Sequence, residues 1–193
     1  MIINFKERAM SFDLQILDFI QAHLRNAFLD FIMPIITVFG DGGVFWILLT
    51  LVMLAFRKTR RVGAVMAISL LIDVVICNLT LKPLIARVRP YDVNTSVQLI
   101  IKPPTDFSFP SGHTGASFAA VSAMYFQKWR YWLPFGILAL LIAFSRLYLY
   151  VHYPTDVLAG ALIGIFAGWL AGLILAYIIK RADEHRSNRQ QEE

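Results

Sequence analysis

Charge is scarce in this sequence. Asp, Glu, Lys and Arg make up 16% of the 193 residues, against roughly 25% in ordinary soluble domains. Hydrophobic residues reach 58%, more than a soluble globule of this size could enclose, so lipid is the natural solvent for the surplus. Cysteine is almost missing. Cys77 stands alone inside an apolar run, which excludes an intrachain disulfide and leaves it as a small core residue with no assigned role. Acidic residues form no cluster that could hold magnesium, so neither a metal nor a cofactor is expected. No long-period repeat is present. The opening MIINFKERAMSF carries Lys6 and Arg8 with no apolar run or small-residue cleavage pattern directly after them, so a removable signal peptide is not expected.

What the sequence does contain is apolar runs, at 27–39, 43–56, 62–80, 115–126, 132–149 and 157–179. A spanning helix needs about 20 such residues, with a range of about 17–25. The third, fifth and sixth runs meet that outright, and the others are short. Asp30 interrupts the first, which either spans or joins the amphipathic segment 14–24 at the water interface. Six spans would place Lys6 and Arg8, the cluster Arg57, Lys58, Arg60 and Arg61, the pair Lys128 and Arg130, and Lys180, Arg181, Arg186 and Arg189 on one side. The positive-inside rule makes that side cytoplasmic. The net charge of +5 therefore reads as a topology signal, and no nucleic-acid partner is expected. The expectation is an all-α polytopic membrane bundle of about six helices. Residues 1–181 would be the membrane-embedded domain and 182–193 a charged cytoplasmic tail, with both termini cytoplasmic.

The opposite side would hold the long loop 87–112. Pro90, Pro103, Pro104 and Pro110, with Tyr91, Phe107 and Phe109, mark it as an ordered loop or lid without helix. Loops of this length inside a compact domain are usually functional. In the last run, Gly160, Gly164, Gly168 and Gly172 recur every fourth residue. That stripe offers a groove for another helix, within the chain or, in the minority reading, in a homodimer.

The same side gathers Lys82, Arg87, Arg89, Ser111, His113, Ser145, Arg146, His152 and Asp156. Singly each has a bland reading: a snorkelling lysine, loop arginines, a packed histidine. Arg146 is harder to dismiss, because ionisable groups bordering spans are costly and usually pair with one another or with a ligand. Three segments presenting cations on one face make an anion site the better hypothesis. Within PSGHTGAS, Ser111 suits a helix N-cap, Gly112 lets the backbone approach a ligand, and the first-turn N–H groups would face an anion with His113 beside them. Within HYPTDVLAG, Pro154 suits the first helical position. Asp156 could then reach back to one nitrogen of His152, fixing its tautomer and freeing the other nitrogen to attack.

Lys82, six residues, Arg89-Pro90; Pro110-Ser111-Gly112-His113; and Ser145-Arg146, five residues, His152, three residues, Asp156 together resemble the type 2 phosphatidic acid phosphatase superfamily. The signature runs over 82–156, the expected catalytic core, with no departure at a signature position. The resemblance implies a metal-independent lipid phosphatase. His152 would be the nucleophile that becomes a phosphohistidine, Asp156 its orienting partner, and His113 the acid and then the base. Lys82, Arg89, Arg146, Ser111 and the Gly112 N–H would hold the phosphoryl oxygens. Such a division suits phosphoryl transfer, which depends on positioning and on neutralising charge. Arg87 is not one of the signature residues and stays as an accessory cation.

Analogy with compact bacterial members implies the bacterial inner membrane, an extracytoplasmic site, membrane lipid as surroundings, and a lipid phosphate as substrate. Undecaprenyl diphosphate is favoured, with phosphatidylglycerol phosphate and phosphatidic acid as alternatives. Two other classes are weighed. Vanadium haloperoxidases share the phosphate-binding residues, but those proteins are soluble. A non-catalytic transporter would not need His113 together with the His152–Asp156 pair.

Overall fold

A chain in lipid must satisfy its backbone hydrogen bonds internally, and this one does so with helices. The computed structural model describes residues 5–192, with no strand among them. Helix α1 (Phe5–His23) precedes α2 (Ala27–Val38), whose N-cap Asn26 accepts the Leu29 N–H at 3.0 Å. A 3₁₀ turn, Asp41–Gly43, leads into α3 (Val44–Ala55). Gly42 and Gly43 adopt φ of 57° and 68°, left-handed values open to glycine without a steric penalty.

The runs 27–39 and 43–56, expected as two spans, lie instead along one path. Its neighbour is α8 (Trp132–Tyr148). Asp30 accepts from the Tyr148 hydroxyl at 2.7 Å, Thr37 accepts from Arg146 at 2.5 Å, and Trp46 meets Phe135 edge-on with ring centroids 6.4 Å apart. The partner's number falls steadily as the path advances, so the chain passes α8 antiparallel without doubling back. Length explains this. Each 12-residue helix covers about 18 Å, too little for a hydrocarbon core of about 30 Å. The stretch Ala27–Ala55, with 29 residues, is long enough.

Helix α4 (Arg60–Asp73) continues through a π-helical segment, Val74–Leu81, into α5 (Lys82–Ile85). Ala86 ends the rod in a left-handed conformation, and Arg89 is extended ahead of the short α6 (Pro90–Val93), as the residue before a proline should be. The stretch 87–112, expected without helix, therefore holds one helical turn, opened by Pro90 at its first position; from Asn94 to Ser111 the chain is irregular, in keeping with its prolines. Helix α7 (Gly112–Phe126) descends from this loop, α8 returns, and α9 (Pro154–Glu192) leaves again. α9 runs unbroken across the expected boundary at 181/182.

The glycine stripe of α9 faces α7. A Cβ at Gly160 would lie 2.6 Å from the Ser111 carbonyl oxygen, and one at Gly164 or Gly168 would lie 2.7 Å from the amide nitrogen of Ala119 or Ala123. The stripe is therefore filled from within the chain. Outward faces carry exposed leucines, among them Leu71, Leu79, Leu84, Leu158 and Leu162. Such a surface belongs in lipid, and Ala27–Ala55, Arg60–Val93 and Pro154–His185 are each long and apolar enough to cross it. The basic clusters 57–61 and 128–130 join α3 to α4 and α7 to α8, at the ends remote from Lys82 and His113.

Candidate active site

At the other end, four chain segments converge. His152 lies in the turn between α8 and α9 and is almost wholly buried. Its Nε2 is 3.3 Å from Arg89 Nη1. A guanidinium can only donate, so Nε2 carries the lone pair and the ring hydrogen sits on Nδ1. Nδ1 points at Asp156 Oδ2, 3.5 Å away, and has no nearer partner. The expected reach of Asp156 to His152 is thus present in direction but too long for a hydrogen bond. Burial, then the positive charges of Arg146, Arg89 and Lys82 and the His113 ring, push the proton affinity of His152 well below that of a free imidazole.

Asp156 is fully buried and held on three sides. Oδ1 accepts from Arg87 Nη1 at 2.6 Å; Oδ2 accepts from Ser108 Oγ at 2.5 Å and from the Tyr153 N–H at 3.0 Å. Its carbonyl accepts the Ser111 N–H at 3.1 Å, tying the start of α7 to α9.

Lys82 and Arg89 are both buried and share one carboxylate. Asp106 gives Oδ2 to Lys82 Nζ and Oδ1 to Arg89 Nη2, the latter at 2.6 Å, while its carbonyl accepts from Arg89 Nε at 2.8 Å. Partial burial alone would raise the Asp106 carboxyl, but hydrogen bonds and charge from Lys82 and Arg89 overcome that and hold it at about 2. Arg89 Nη1 also donates to the Val151 carbonyl at 2.6 Å, fixing the turn that carries His152.

Ser111 caps α7, its hydroxyl accepting the Thr114 N–H at 3.4 Å and lying 3.0 Å from Thr114 Oγ1. That hydroxyl is engaged by the helix start. His113, in the first turn, has Nε2 2.7 Å from Asp41 Oδ1. Gly40 is what lets the ring fit, since a Cβ there would stand 2.5 Å from His113 Cδ2. Arg146 is buried in the last turn of α8 and donates to Thr37, while its Nε has no hydrogen-bond partner.

Lys82, Arg89, Gly112, His113, Arg146, His152 and Asp156 are therefore brought to one end of the bundle, with Ser111 at its helix cap. Arg87 lies apart from the cations that meet Asp106: it faces Asp156 and Asp13. The sequence reading missed Asp13, Asp41 and Asp106. Asp41 sits in a GDGG stretch between apolar runs and Asp106 just ahead of SFPSGH, and those placements were the available signals. A cavity of about 330 Å³ joins the polar end, at Lys82, Asp106 and His113, to Ile47, Leu70 and Val74 between α3 and α4.

The profile of the PAP2 superfamily matches residues 58–180. An undecaprenyl-diphosphatase of Sulfolobus acidocaldarius is 32% identical over 170 residues, covering 86% of this chain and 79% of that protein. A lipid A 4'-phosphatase of Bacteroides thetaiotaomicron is 31% identical over 172 residues, covering 82% and 74% respectively. Among solved structures, a transmembrane PAP2 type phosphatidylglycerolphosphate phosphatase from Bacillus subtilis superposes with a TM-score of 0.72 at 28% identity, over 88% of this chain and 87% of that one.

Proposed function

The chain belongs to the PAP2 superfamily, and from that membership we propose that it hydrolyses a lipid phosphate or diphosphate through a phosphohistidine at His152. The observation that carries this reading is the carboxylate of Asp106, bridging Lys82 and Arg89 beside His152. Two cations that converge on one carboxylate can converge on a phosphoryl group in the same way. Lys82, Arg89 and Arg146 neutralise the equatorial oxygens, with the Gly112 N–H at the start of α7 completing the cradle; Ser111 joins it only if its hydroxyl turns from Thr114 to the phosphate. Neutral His152 attacks phosphorus with Nε2, forming the P–N bond as the P–O bond to the lipid breaks. His113 gives its proton to the leaving oxygen. It then takes one from water, which attacks phosphorus, breaks the P–N bond and releases inorganic phosphate. Asp156 steadies the Nδ1 hydrogen. No metal enters this scheme, because fixed cations supply the charge.

The cavity supports an amphiphile, with the headgroup at Lys82 and His113 and the chain leaving past Ile47 and Val74. Undecaprenyl diphosphate is the favoured substrate, with phosphatidylglycerol phosphate and phosphatidic acid as alternatives. We place the basic clusters and the C-terminus in the cytoplasm and the site on the extracytoplasmic face of the cell membrane. With 27–55 as a single crossing, the chain crosses five times, so α1 lies on the same face as the site, in place of the six-span expectation. The test is purified protein given a panel of lipid phosphates in detergent, with inorganic phosphate measured. Release from at least one lipid, lost in His152→Ala and His113→Ala, is expected. Near-normal turnover by either variant overturns the mechanism.

A further inference from the structure

Arg87 is one of the six variable residues between Lys82 and Arg89, yet its guanidinium is committed to two carboxylates. Nη1 donates to Asp156 Oδ1 at 2.6 Å and to Thr155 Oγ1 at 2.7 Å, and Nη2 donates to Asp13 Oδ2 at 2.7 Å. The guanidinium carbon lies 3.8 Å from the Tyr153 ring centroid. Asp13, on α1, is itself 1% exposed and also accepts from Thr155, through N–H at 3.3 Å and through Oγ at 2.5 Å. Two buried carboxylates thus share one planar fork: Nη1 grips the first turn of α9 directly, and Nη2 holds Asp13, which accepts from Thr155 of the same turn. One of the two is the carboxylate that faces His152.

We propose that Arg87, anchored by Asp13 of the N-terminal helix, is a positioning residue that fixes the Asp156 carboxylate behind His152, making α1 a working part of the site. This rests on the reading of His152 as nucleophile. Its physical content is geometric and electrostatic. Asp156 sits 3.5 Å from His152 Nδ1, so small displacements decide whether the contact closes during attack. Ser108 and the Tyr153 N–H hold only Oδ2; Arg87 alone holds Oδ1 with a charge. A lysine could not replace it, because a single ammonium cannot span Asp13 and Asp156 as a rigid fork does.

The experiment compares Arg87→Gln, Arg87→Lys, Asp13→Asn and the double variant Asp13→Asn/Arg87→Gln on the lipid that wild type turns over best. For Arg87→Gln, kcat should fall roughly ten- to a hundredfold, the range seen when a group orienting a functional side chain is lost. KM and vanadate inhibition should stay within about threefold, because Lys82, Arg89 and Arg146 are untouched. Arg87→Lys should rescue little, and the double variant should be no worse than Arg87→Gln, as expected for two residues in one chain of contacts. The acidic limb of kcat/KM should move to higher pH, since an Asp156 stripped of its cation raises the proton affinity of His152. A merely structural loss would scale the profile without moving it. A rise in KM with weaker vanadate binding and unchanged kcat would overturn the proposal and make Arg87 a phosphate ligand; so would unchanged turnover. If Arg87→Gln does not fold, judged by melting in detergent, Asp13→Asn carries the test through the same pH shift, and wild-type kinetics there refute it. A wild type that releases phosphate from no lipid defeats the proposed function instead, and is separable from any of these results.

Discussion

At the scale of single residues, the side chains that donate were easier to read from sequence than those that accept. Lys82, Arg89, Arg146 and the two histidines sit in motifs whose spacing announces an anion. Asp41, Asp106 and Asp13 are single acids in unremarkable contexts, and only the fold brings each one opposite a cation or a ring. Asp106 matters most, because it occupies Lys82 and Arg89, the cations proposed to hold the phosphate. The variant Asp106→Asn removes that charge and should tighten vanadate inhibition severalfold, read from titration of turnover. Its carboxyl is held at about 2, so it is ionised at every working pH, and the ratio of variant to wild-type inhibition should be flat from about pH 5 to pH 9. The sign of its stability effect follows. A depressed carboxyl stabilises the fold above its ordinary range near 4, and that contribution is lost as pH falls through about 2. Weaker vanadate binding in Asp106→Asn would mean that the carboxylate helps build the anion site instead of competing for it.

At the scale of elements, periodicity and caps were legible because they are local. Ser111 caps α7 and Pro154 opens α9 as their sequence contexts require, and the glycine stripe meets a helix backbone. Two features were not legible. The π-helical segment Val74–Leu81 has no composition signature, since an apolar run satisfies α and π turns alike; it sets the turn from which Lys82 reaches inward. The joining of 27–39 to 43–56 was hidden because the polar, glycine-rich GDGG separates two apolar runs, whereas here its left-handed glycines kink a rod without reversing it. The stripe gives a direct test. A Cβ at Gly164 would lie 2.7 Å from the Ala119 nitrogen and 2.9 Å from Phe118 Cβ, so Gly164→Leu must part α7 from α9. Overpacking of this kind costs about 1–3 kcal/mol or more. The expected result is a lower melting temperature in detergent, with activity falling too because α7 carries His113. Unchanged melting would mean that the two helices are looser than their backbones imply.

At the scale of the whole molecule, the count of crossings fixes where the N-terminal helix lies, and the positive-inside argument could not decide it. Lys6 and Arg8 favour a cytoplasmic start, but two charges weigh little beside a buried network. Asp13 meets Arg87 and Thr155, Asp18 accepts from Tyr150 at 2.6 Å, and Gln21 donates to the Tyr148 carbonyl at 2.7 Å. All of these partners lie at the site end of α8, α9 and the loop. Separating α1 from them would take from the buried Asp13 carboxylate its Arg87 and Thr155 partners, and a carboxylate left unpaired in a low-dielectric environment costs several kcal/mol. A single native cysteine, buried Cys77, makes the matter accessible to labelling. In a Cys77→Ala background, Phe12→Cys and Ser96→Cys should both react with a membrane-impermeant maleimide on intact cells, since Phe12 is 63% exposed and Ser96 lies in the loop. Arg57→Cys should react only after permeabilisation. If Phe12→Cys instead behaves like Arg57→Cys, α1 begins on the cytoplasmic side, the five-crossing topology fails, and the proposed link from Asp13 to His152 fails with it.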